Sequence, residues 1–141
     1  MLQEIFKGMD NAAEQINENF LLGSVVDDNL NESNPPSGYY VRFGNGFQVC
    51  YHTIDVTATS SYRADRLWRY AKEFNKKPVV IPVKPWFIGG GAGEADYSIT
   101  ARNEAEFTTE SVSISVFAKD RTLTVGNVLS NISVVAVGRW K

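Results

Sequence analysis

The sequence predicts an all-β domain, an antiparallel β-sandwich, with a short N-terminal helical arm. Three observations indicate this class. β-Branched and aromatic residues dominate after residue 38. Short alternating runs are separated by turn signals at the spacing of a sandwich. The composition changes near residue 35, before which the chain is polar and acidic. We therefore predict an arm over residues 1–35 and a sandwich domain over residues 36–141.

The chain has the size and composition of one globular domain. Its 141 residues, 43% hydrophobic and 21% charged, can bury a core without a second domain. No run of about 18 apolar residues occurs, so we expect no membrane insertion, and the first residues lack a signal-peptide pattern, so we expect synthesis in the cytoplasm. The single cysteine and single histidine, Cys50 and His52, exclude an internal disulfide and a Cys-rich zinc site. We predict no metal and no cofactor.

The arm contains one predicted helix, over about residues 11–22. Asn11, with Glu14 three residues later, resembles a capping box, and Gly23 is a suitable end for the helix. Its apolar stripe consists of Ala12, Ala13, Ile16, Phe20 and Leu21. A helix of this length is marginal in water, so it needs a surface on which to pack. The alternative is a disordered leader.

Charge also separates the two segments. Residues 1–38 hold seven acidic residues and one base, whereas residues 39–141 hold nine acidic residues and thirteen bases. This asymmetry favours docking of the arm on the domain, on a neighbouring copy or on another protein. The stretch Asn34-Pro35-Pro36-Ser37-Gly38 has the turn chemistry of a linker between the two segments.

The domain is predicted as successive strands. They cover residues 39–43, 47–54, 79–83, 97–101, 112–117 and 132–137. The first two form a hairpin around Gly44-Asn45-Gly46, because glycine and asparagine tolerate a positive φ. Residues 64–75 fit either one face of a helix or a strand that ends in a turn.

Few residues offer catalytic chemistry. Two pairs of carboxylates are spaced two residues apart, Glu94 with Asp96 and Glu104 with Glu106. On strands, the members of each pair would share a face at a spacing compatible with a glycosidase, but such pairs are also common on solvated strands. We predict no catalytic residue, and a polysaccharide-degrading enzyme is the weakest of the alternatives.

Two further motifs lack part of what a catalytic pair or a phosphate-binding loop needs. Cys50 and His52 share one face of a predicted strand, but a thiolate–imidazole pair needs a third group to orient it, so a packed, inert pair is the preferred interpretation. The glycine-rich loop at residues 89–93 lacks the Lys-Ser/Thr of a phosphate-binding loop. We interpret this loop as a connection at one end of the domain.

Two regions have the composition of a binding surface. Residues 63–84 carry seven bases with interleaved aromatic residues, which fits nucleic acid, an anionic polysaccharide, the acidic arm of a neighbour or a solvated face. The sequence pI of about 5.4 argues against nucleic acid. Around the glycine-rich loop, an aromatic face and polar groups could hold a sugar ring. The candidate glycan-binding residues are Trp86, Asp96, Tyr97 and Arg102, with a core position as the alternative for either aromatic residue.

Two parts of the chain resemble a known family. Residues 5–20, which begin Ile5-Phe6-Lys7-Gly8-Met9, look like the opening of tail-tip and baseplate proteins of long-tailed phages of Gram-positive bacteria. The rest is similar to the end of the minor structural and receptor-binding proteins of such phages. The hairpin at 40–51 contributes to this similarity, as do Trp68, Tyr70, Phe74, Pro78-Val79-Val80 and the terminal Gly138-Arg139-Trp140-Lys141. The layout from Pro78 onward also resembles H-type lectin domains.

The resemblance implies that residues 64–75 form a strand and a turn. It implies a non-enzymatic component of the virion tail tip that contacts other tail proteins through an arm carrying Phe6, Ile16 and Phe20 and binds a host cell-wall carbohydrate. It also implies a homotrimer, the assembly that tail-tip adhesins and H-type lectins share. A small lectin-like sugar-binding module is the alternative, although no sugar-binding residue of those lectins matches by motif.

Overall fold

The computed structural model describes residues 23–83, 97–101, 107–119 and 123–141. The elements that it gives for them are eight strands: β1 (Val25–Asp28), β2 (Tyr39–Phe43), β3 (Phe47–Ala58), β4 (Arg63–Arg69), β5 (Val79–Val83), β6 (Tyr97–Ala101), β7 (Ser111–Ala118) and β8 (Val128–Arg139). All of their pairings are antiparallel. The prediction of an all-β antiparallel domain is therefore confirmed.

Strand β3 organises the sheet. It pairs with β8 along nearly its whole length, from Phe47 opposite Arg139 to Thr57 opposite Val128. On its other side it pairs first with β2 and then, through Thr57 and Ala58, with β4. Strand β1 extends the sheet beyond β2, β7 and β6 extend it beyond β4, and β5 pairs with β8. Because β5 and β6 also lie close together, the eight strands form one curled sheet.

The β2–β3 hairpin forms where the sequence predicts it. The backbone N–H of Gly46 donates to the carbonyl of Phe43 at 3.0 Å, and Gly46 has a φ of 90°, which a residue with a Cβ rarely adopts. The side chain of Asn45 accepts a hydrogen bond from the Phe47 N–H at 3.0 Å. The predicted turn at residues 44–46 is confirmed.

Residues 64–75 are a strand followed by a turn, as the resemblance implies. Strand β4 ends at Arg69, and three buried aromatic residues follow its inner face into the turn. Trp68 meets Tyr70 edge to face with ring centroids 5.1 Å apart, and Tyr70 meets Phe74 in the same way at 5.2 Å. Together with the buried Val112, Ile114, Ile132 and Val134 they form part of the core.

The motif residues at the end of the chain hold this turn against the sheet. A Cβ on Gly138 would lie 3.1 Å from the Phe74 ring and 3.3 Å from Pro78, so this position suits a glycine. The indole N–H of Trp140 donates to the carbonyl of Phe43 at 3.0 Å, which ties the end of β8 to the β2–β3 hairpin. These residues, which carry the family resemblance, therefore have structural roles.

The sheet begins earlier in the chain than the sequence predicts. Strand β1 lies inside the predicted arm and pairs with β2, so the exclusion of residues 1–35 from the β fold is wrong for this stretch. The side chain of Asn29 fixes the strand, because its amide donates to the carbonyl of Gly38 at 3.0 Å and accepts from the N–H of Tyr40 at 2.7 Å. The predicted helix over 11–22 and the attachment residues Phe6, Ile16 and Phe20 lie outside the described residues.

The predicted linker at residues 34–38 is an ordered loop instead. The N–H of Gly38 donates to the carbonyl of Pro35 at 2.9 Å, and the indole N–H of Trp68 donates to the carbonyl of Ser37 at 3.1 Å. Proline and glycine build a tight turn as readily as a linker, and here the buried Trp68 fixes that turn to the core.

Candidate functional site

The predicted glycan-binding residues are not brought together among the described residues. Tyr97 is 3% exposed and packs in the core, because the first residue of β6 faces the inside of the curl, so its ring offers no face to a sugar in this structure. Trp86, Asp96 and Arg102 lie outside the described residues. The carboxylate pairs at 94 and 96 and at 104 and 106 also lie outside them.

The aromatic residues of the basic stretch at 63–84 have a structural role in the part that the structure describes. Trp68, Tyr70 and Phe74 are buried, so they cannot stack on a nucleobase or a sugar. Arg63 lies 2.9 Å from Asp65 in an ion pair. This stretch places cationic side chains on the surface around the turn at residues 70–73.

The thiol of Cys50 is a packed group. The side chain is fully buried, and its Sγ donates to the carbonyl of Lys72 at 3.7 Å. Burial raises the pKa of Cys50, although hydrogen bonds at the thiol oppose the shift. Burial, and then the charge of Arg66, lowers the pKa of His52. Both shifts favour the neutral forms, as in the inert pair that the sequence predicts.

A polar cleft of about 430 Å³ opens beside the turn at residues 70–73. It is lined by Arg42, Arg69, Tyr70, Ala71, Lys72, Glu73 and Glu110. Two backbone hydrogen bonds join its walls: the N–H of Tyr70 donates to the carbonyl of Glu110 at 2.9 Å, and the N–H of Phe74 donates to the carbonyl of Thr109 at 3.0 Å. The cleft therefore lies between β2, the turn and the residues that precede β7.

Arg42 is held in a fixed position at this cleft. Its Nε donates to Gln48 Oε1 at 2.7 Å and its Nη2 to the carbonyl of Glu73 at 2.9 Å. The guanidinium lies 4.9 Å from the centroid of the Trp140 ring, a cation–π distance. Its Nη1 lies 3.9 Å from Asp27 Oδ2 in an ion pair. The side chain is only 16% exposed, so this cation is largely desolvated and oriented before any ligand arrives.

The buried side chain of Gln48 orients both Arg42 and the turn. Its Oε1 accepts from Arg42, while its Nε2 donates to the carbonyl of Lys72 at 2.8 Å. A buried polar group normally has such partners, because leaving it unpaired is costly. Gln48 thus links β3, β2 and the 70–73 turn through a single amide.

Tyr70 forms the floor of the cleft. It is buried, and burial, and then the neighbouring Cys50, raises its pKa. The phenol therefore stays protonated across the physiological range and adds no negative charge beneath the cations.

The cleft combines two kinds of hydrogen-bonding group. Arg42, Arg69 and Lys72 are cationic donors, and the planar fork of arginine matches a carboxylate or a phosphate. Glu73 and Glu110 are acceptors that suit hydroxyl groups. Within the described residues, no group of three or more His, Cys, Asp or Glu could hold a metal ion. This arrangement fits a hydroxyl-rich ligand that also carries an anionic group.

The sequence patterns did not identify Arg42, Gln48, Glu73 or Glu110 as candidate site residues. Arg42 belongs to a predicted strand, and Gln48 shares a strand face with Cys50. The predicted hairpin offered a signal for this pair of residues. It pairs Arg42 directly with Gln48 and so places both side chains on one face.

Comparison of the chain with family models, with curated proteins and with solved structures gives no significant match. Over the residues that the structure describes, no helix is long and apolar enough to cross a membrane. The fold and the site therefore define a β-rich domain with a polar, preorganised cleft.

Proposed function

We propose that this protein is a non-enzymatic structural component of a phage tail tip or baseplate, and that it binds an anionic glycan of the host cell surface through the polar cleft. It acts in the virion as a homotrimer whose sandwich domain faces the host. Its N-terminal helical arm contacts other tail proteins through Phe6, Ile16 and Phe20.

The resemblance of the hairpin, of the strand that begins at Pro78 and of the chain end to phage tail proteins supports the tail-tip context. The observation that carries the binding function is the fixed guanidinium of Arg42 at the cleft. A half-buried, oriented arginine binds an anion at a smaller entropic cost than a flexible surface lysine does. Gram-positive cell walls display hydroxyl-rich polymers with anionic groups, which match the cations and acids of the cleft.

Binding to purified cell walls tests the proposal. We expect the full chain to sediment with walls that retain their anionic polymer and to bind at least about tenfold more weakly, about 1.4 kcal/mol, to walls from which that polymer has been extracted. Arg42→Lys keeps the charge but loses the planar fork, so it should weaken binding by a similar factor. Arg66→Lys, on an exposed position of β4 outside the cleft, is the matched control.

Three outcomes would contradict the proposal. Equal binding to intact and extracted walls would favour the lectin-like alternative with a neutral sugar. Equal binding by Arg42→Lys and Arg66→Lys would remove the cleft from the interaction. Release of reducing ends from the walls would instead support the polysaccharide-degrading enzyme.

A further inference from the structure

Two tyrosines lie side by side on the outer side of the β2–β3 pair. Tyr39 and Tyr51 are direct register partners, so their Cβ atoms are about 5 Å apart, and we call these two side chains the tyrosine ridge. Tyr51 is 44% exposed, Tyr39 is half-buried, and both line each of two pockets. Because a phenol ring offers an apolar face beside a polar hydroxyl, the ridge suits a ligand that is apolar on one face and polar at its edge.

The first pocket carries hydroxyl and amide groups. Its volume is about 390 Å³, which falls within the range of roughly 300–1,000 Å³ for small-molecule sites. The Tyr51 hydroxyl lies 3.2 Å from Thr53 Oγ1, and either atom could be the donor, so the pair can offer both a donor and an acceptor to a ligand. Asn34 also lines this pocket, and its amide adds groups of both kinds. These side chains match the neighbouring hydroxyl groups of a sugar.

The first pocket favours a neutral ligand. The described residues that line it include no Asp, Glu, Lys or Arg. Burial, and then the charge of Arg66, lowers the pKa of His52 in its lining, so this imidazole is neutral at neutral pH. A charged ligand would lose hydration here without gaining an ion pair. In this respect the pocket differs from the polar cleft around Arg42.

The loop that forms one wall of the first pocket is already ordered. The N–H of Gly38 donates to the carbonyl of Pro35 at 2.9 Å, and the indole N–H of Trp68 donates to the carbonyl of Ser37 at 3.1 Å. A Cβ at Gly38 would overlap the carbonyl of Tyr51, so the loop lies directly against β3. Because this wall is fixed, a ligand binds without the cost of ordering a loop.

The second pocket is apolar and shares the tyrosine ridge with the first. Its volume is about 330 Å³, and its lining consists of Leu30, Tyr39, Tyr40, Val41, Val49 and Tyr51. This lining suits a methyl group better than a hydroxyl group, because a hydroxyl group placed there would lose its hydrogen bonds to water. A ligand that spans the ridge therefore needs hydroxyl groups at one end and an apolar substituent at the other.

We propose that the tyrosine ridge binds a neutral oligosaccharide that carries an N-acetyl group. The C–H face of one sugar ring packs on the Tyr51 ring, because its partially positive hydrogens meet the negative face of the aromatic system. The hydroxyl groups of the sugar bond to Tyr51, Thr53 and Asn34, and the acetamido methyl group enters the apolar pocket. The inference goes beyond the proposed function, since it adds a second, neutral site on the side of the β2–β3 pair opposite to Arg42.

Saturation-transfer NMR of the full chain with two disaccharides tests the proposal. Chitobiose carries acetamido groups, and cellobiose, the matched probe, has the same backbone with hydroxyl groups in their place. We expect saturable binding of chitobiose at millimolar concentration, with the strongest transfer to the ring C–H and acetamido methyl protons. Cellobiose should bind at least about threefold more weakly, because it lacks the methyl group that the apolar pocket would bury.

Three variants test the role of Tyr51. Tyr51→Ala removes the stacking face and should weaken chitobiose binding at least about tenfold with an unchanged circular dichroism spectrum. Tyr51→Phe keeps the ring and loses the hydroxyl group, so it should weaken binding by only about threefold. Tyr62→Ala is the matched control, because Tyr62 is 61% exposed and lines neither pocket.

The outcomes separate this inference from the proposed function. Absence of chitobiose binding at tens of millimolar, or equal binding by Tyr51→Ala and Tyr62→Ala, would overturn the sugar site at the tyrosine ridge. Equal affinity for the two disaccharides would contradict the contact of the acetamido methyl group. Loss of chitobiose binding in Arg42→Lys but not in Tyr51→Ala would place the sugar in the polar cleft, which overturns this inference and leaves the proposed function standing.

Discussion

Gln48 is the residue at which the fold and the site depend on each other. Its amide accepts from Arg42 and donates to the carbonyl of Lys72, so one side chain both fixes the 70–73 turn and aims the guanidinium. A substitution here removes partners from two buried or half-buried groups at once.

Gln48→Leu should therefore lower the free energy of unfolding by about 2–4 kcal/mol, because the Lys72 carbonyl and the Arg42 guanidinium lose their partner. Urea unfolding measures the effect. Thr57→Val, at an exposed position of the same strand, should change stability by less than about 0.5 kcal/mol. Equal effects of the two substitutions would show that the Gln48 amide contributes little.

A second residue-scale prediction concerns acid stability. Burial would raise the pKa of Asp65, but hydrogen bonds from Arg63, Ser115 and Thr59 outweigh burial and hold the pKa below its usual value. A carboxyl group with a lowered pKa in the folded state contributes stability above its unfolded pKa of about 3.9 and loses it as the pH falls through the folded value.

Asp65→Asn should therefore reduce stability at neutral pH and flatten the loss of stability below about pH 4. Thermal unfolding from pH 7 to pH 3 measures both effects. Asp55→Asn, on an exposed position of β3, is the matched control. An Asp65→Asn profile parallel to that of the wild type would contradict the role of Asp65.

At the scale of elements, the loop between β1 and β2 is as important as the strands. Gly38 has a φ of 86°, and a Cβ at this position would overlap the carbonyl of Tyr51 and the Cβ of His52. Gly126 has a similar φ of 92° but open space around it. A comparison of the two glycines therefore separates the cost of a positive φ from the cost of a steric overlap.

Gly38→Ala should destabilise the domain by about 2 kcal/mol or more beyond Gly126→Ala, which carries only the cost of a positive φ, about 1–2 kcal/mol. Urea unfolding of both variants gives the difference. Similar values for the two would show that the loop moves to accommodate a side chain.

Strand β1 predicts where the chain can be shortened. Removal of residues 1–22 should keep the cooperative thermal transition, because the described sheet begins at β1. Removal of residues 1–30 should lower the midpoint clearly, because it deletes β1 and the two hydrogen bonds of Asn29. Loss of the transition on removing residues 1–22 alone would show that they belong to the core.

The sequence predicts most strands, but it does not predict which face of each strand is buried. Alternation in β3 separates Phe47, Val49 and Tyr51 from Gln48 and Cys50, and the more apolar set lies outside. A periodic pattern shows that two sets face opposite ways, but tertiary contacts decide which set is buried. Here the Arg42–Gln48 network occupies the inner side, and the outer apolar set is exposed or half-buried.

Strand β1 was missed for a different reason. It has only four residues, two of them acidic, so it carries almost no periodic signal. Its position depends on Asn29 and on the pairing with β2, which are contacts between separate parts of the chain.

At the scale of the whole molecule, the two sides of the β2–β3 pair differ in chemistry. One side carries Arg42 and Gln48 at the polar cleft, and the other carries the uncharged side chains of Val41 and Val49. A ligand in the cleft would therefore leave the side of Val41 and Val49 uncovered.

The most direct test of the central claim is NMR observation of the arginine side-chain Nε–H groups during titration with a soluble anionic wall polymer. The Arg42 signal, assigned by its loss in Arg42→Lys, should already be visible and slowly exchanging because its Nε–H donates to Gln48. We expect it to shift in a saturable manner while the Arg66 signal stays in place. An unchanged Arg42 signal at polymer concentrations that saturate binding would contradict the assignment of the cleft.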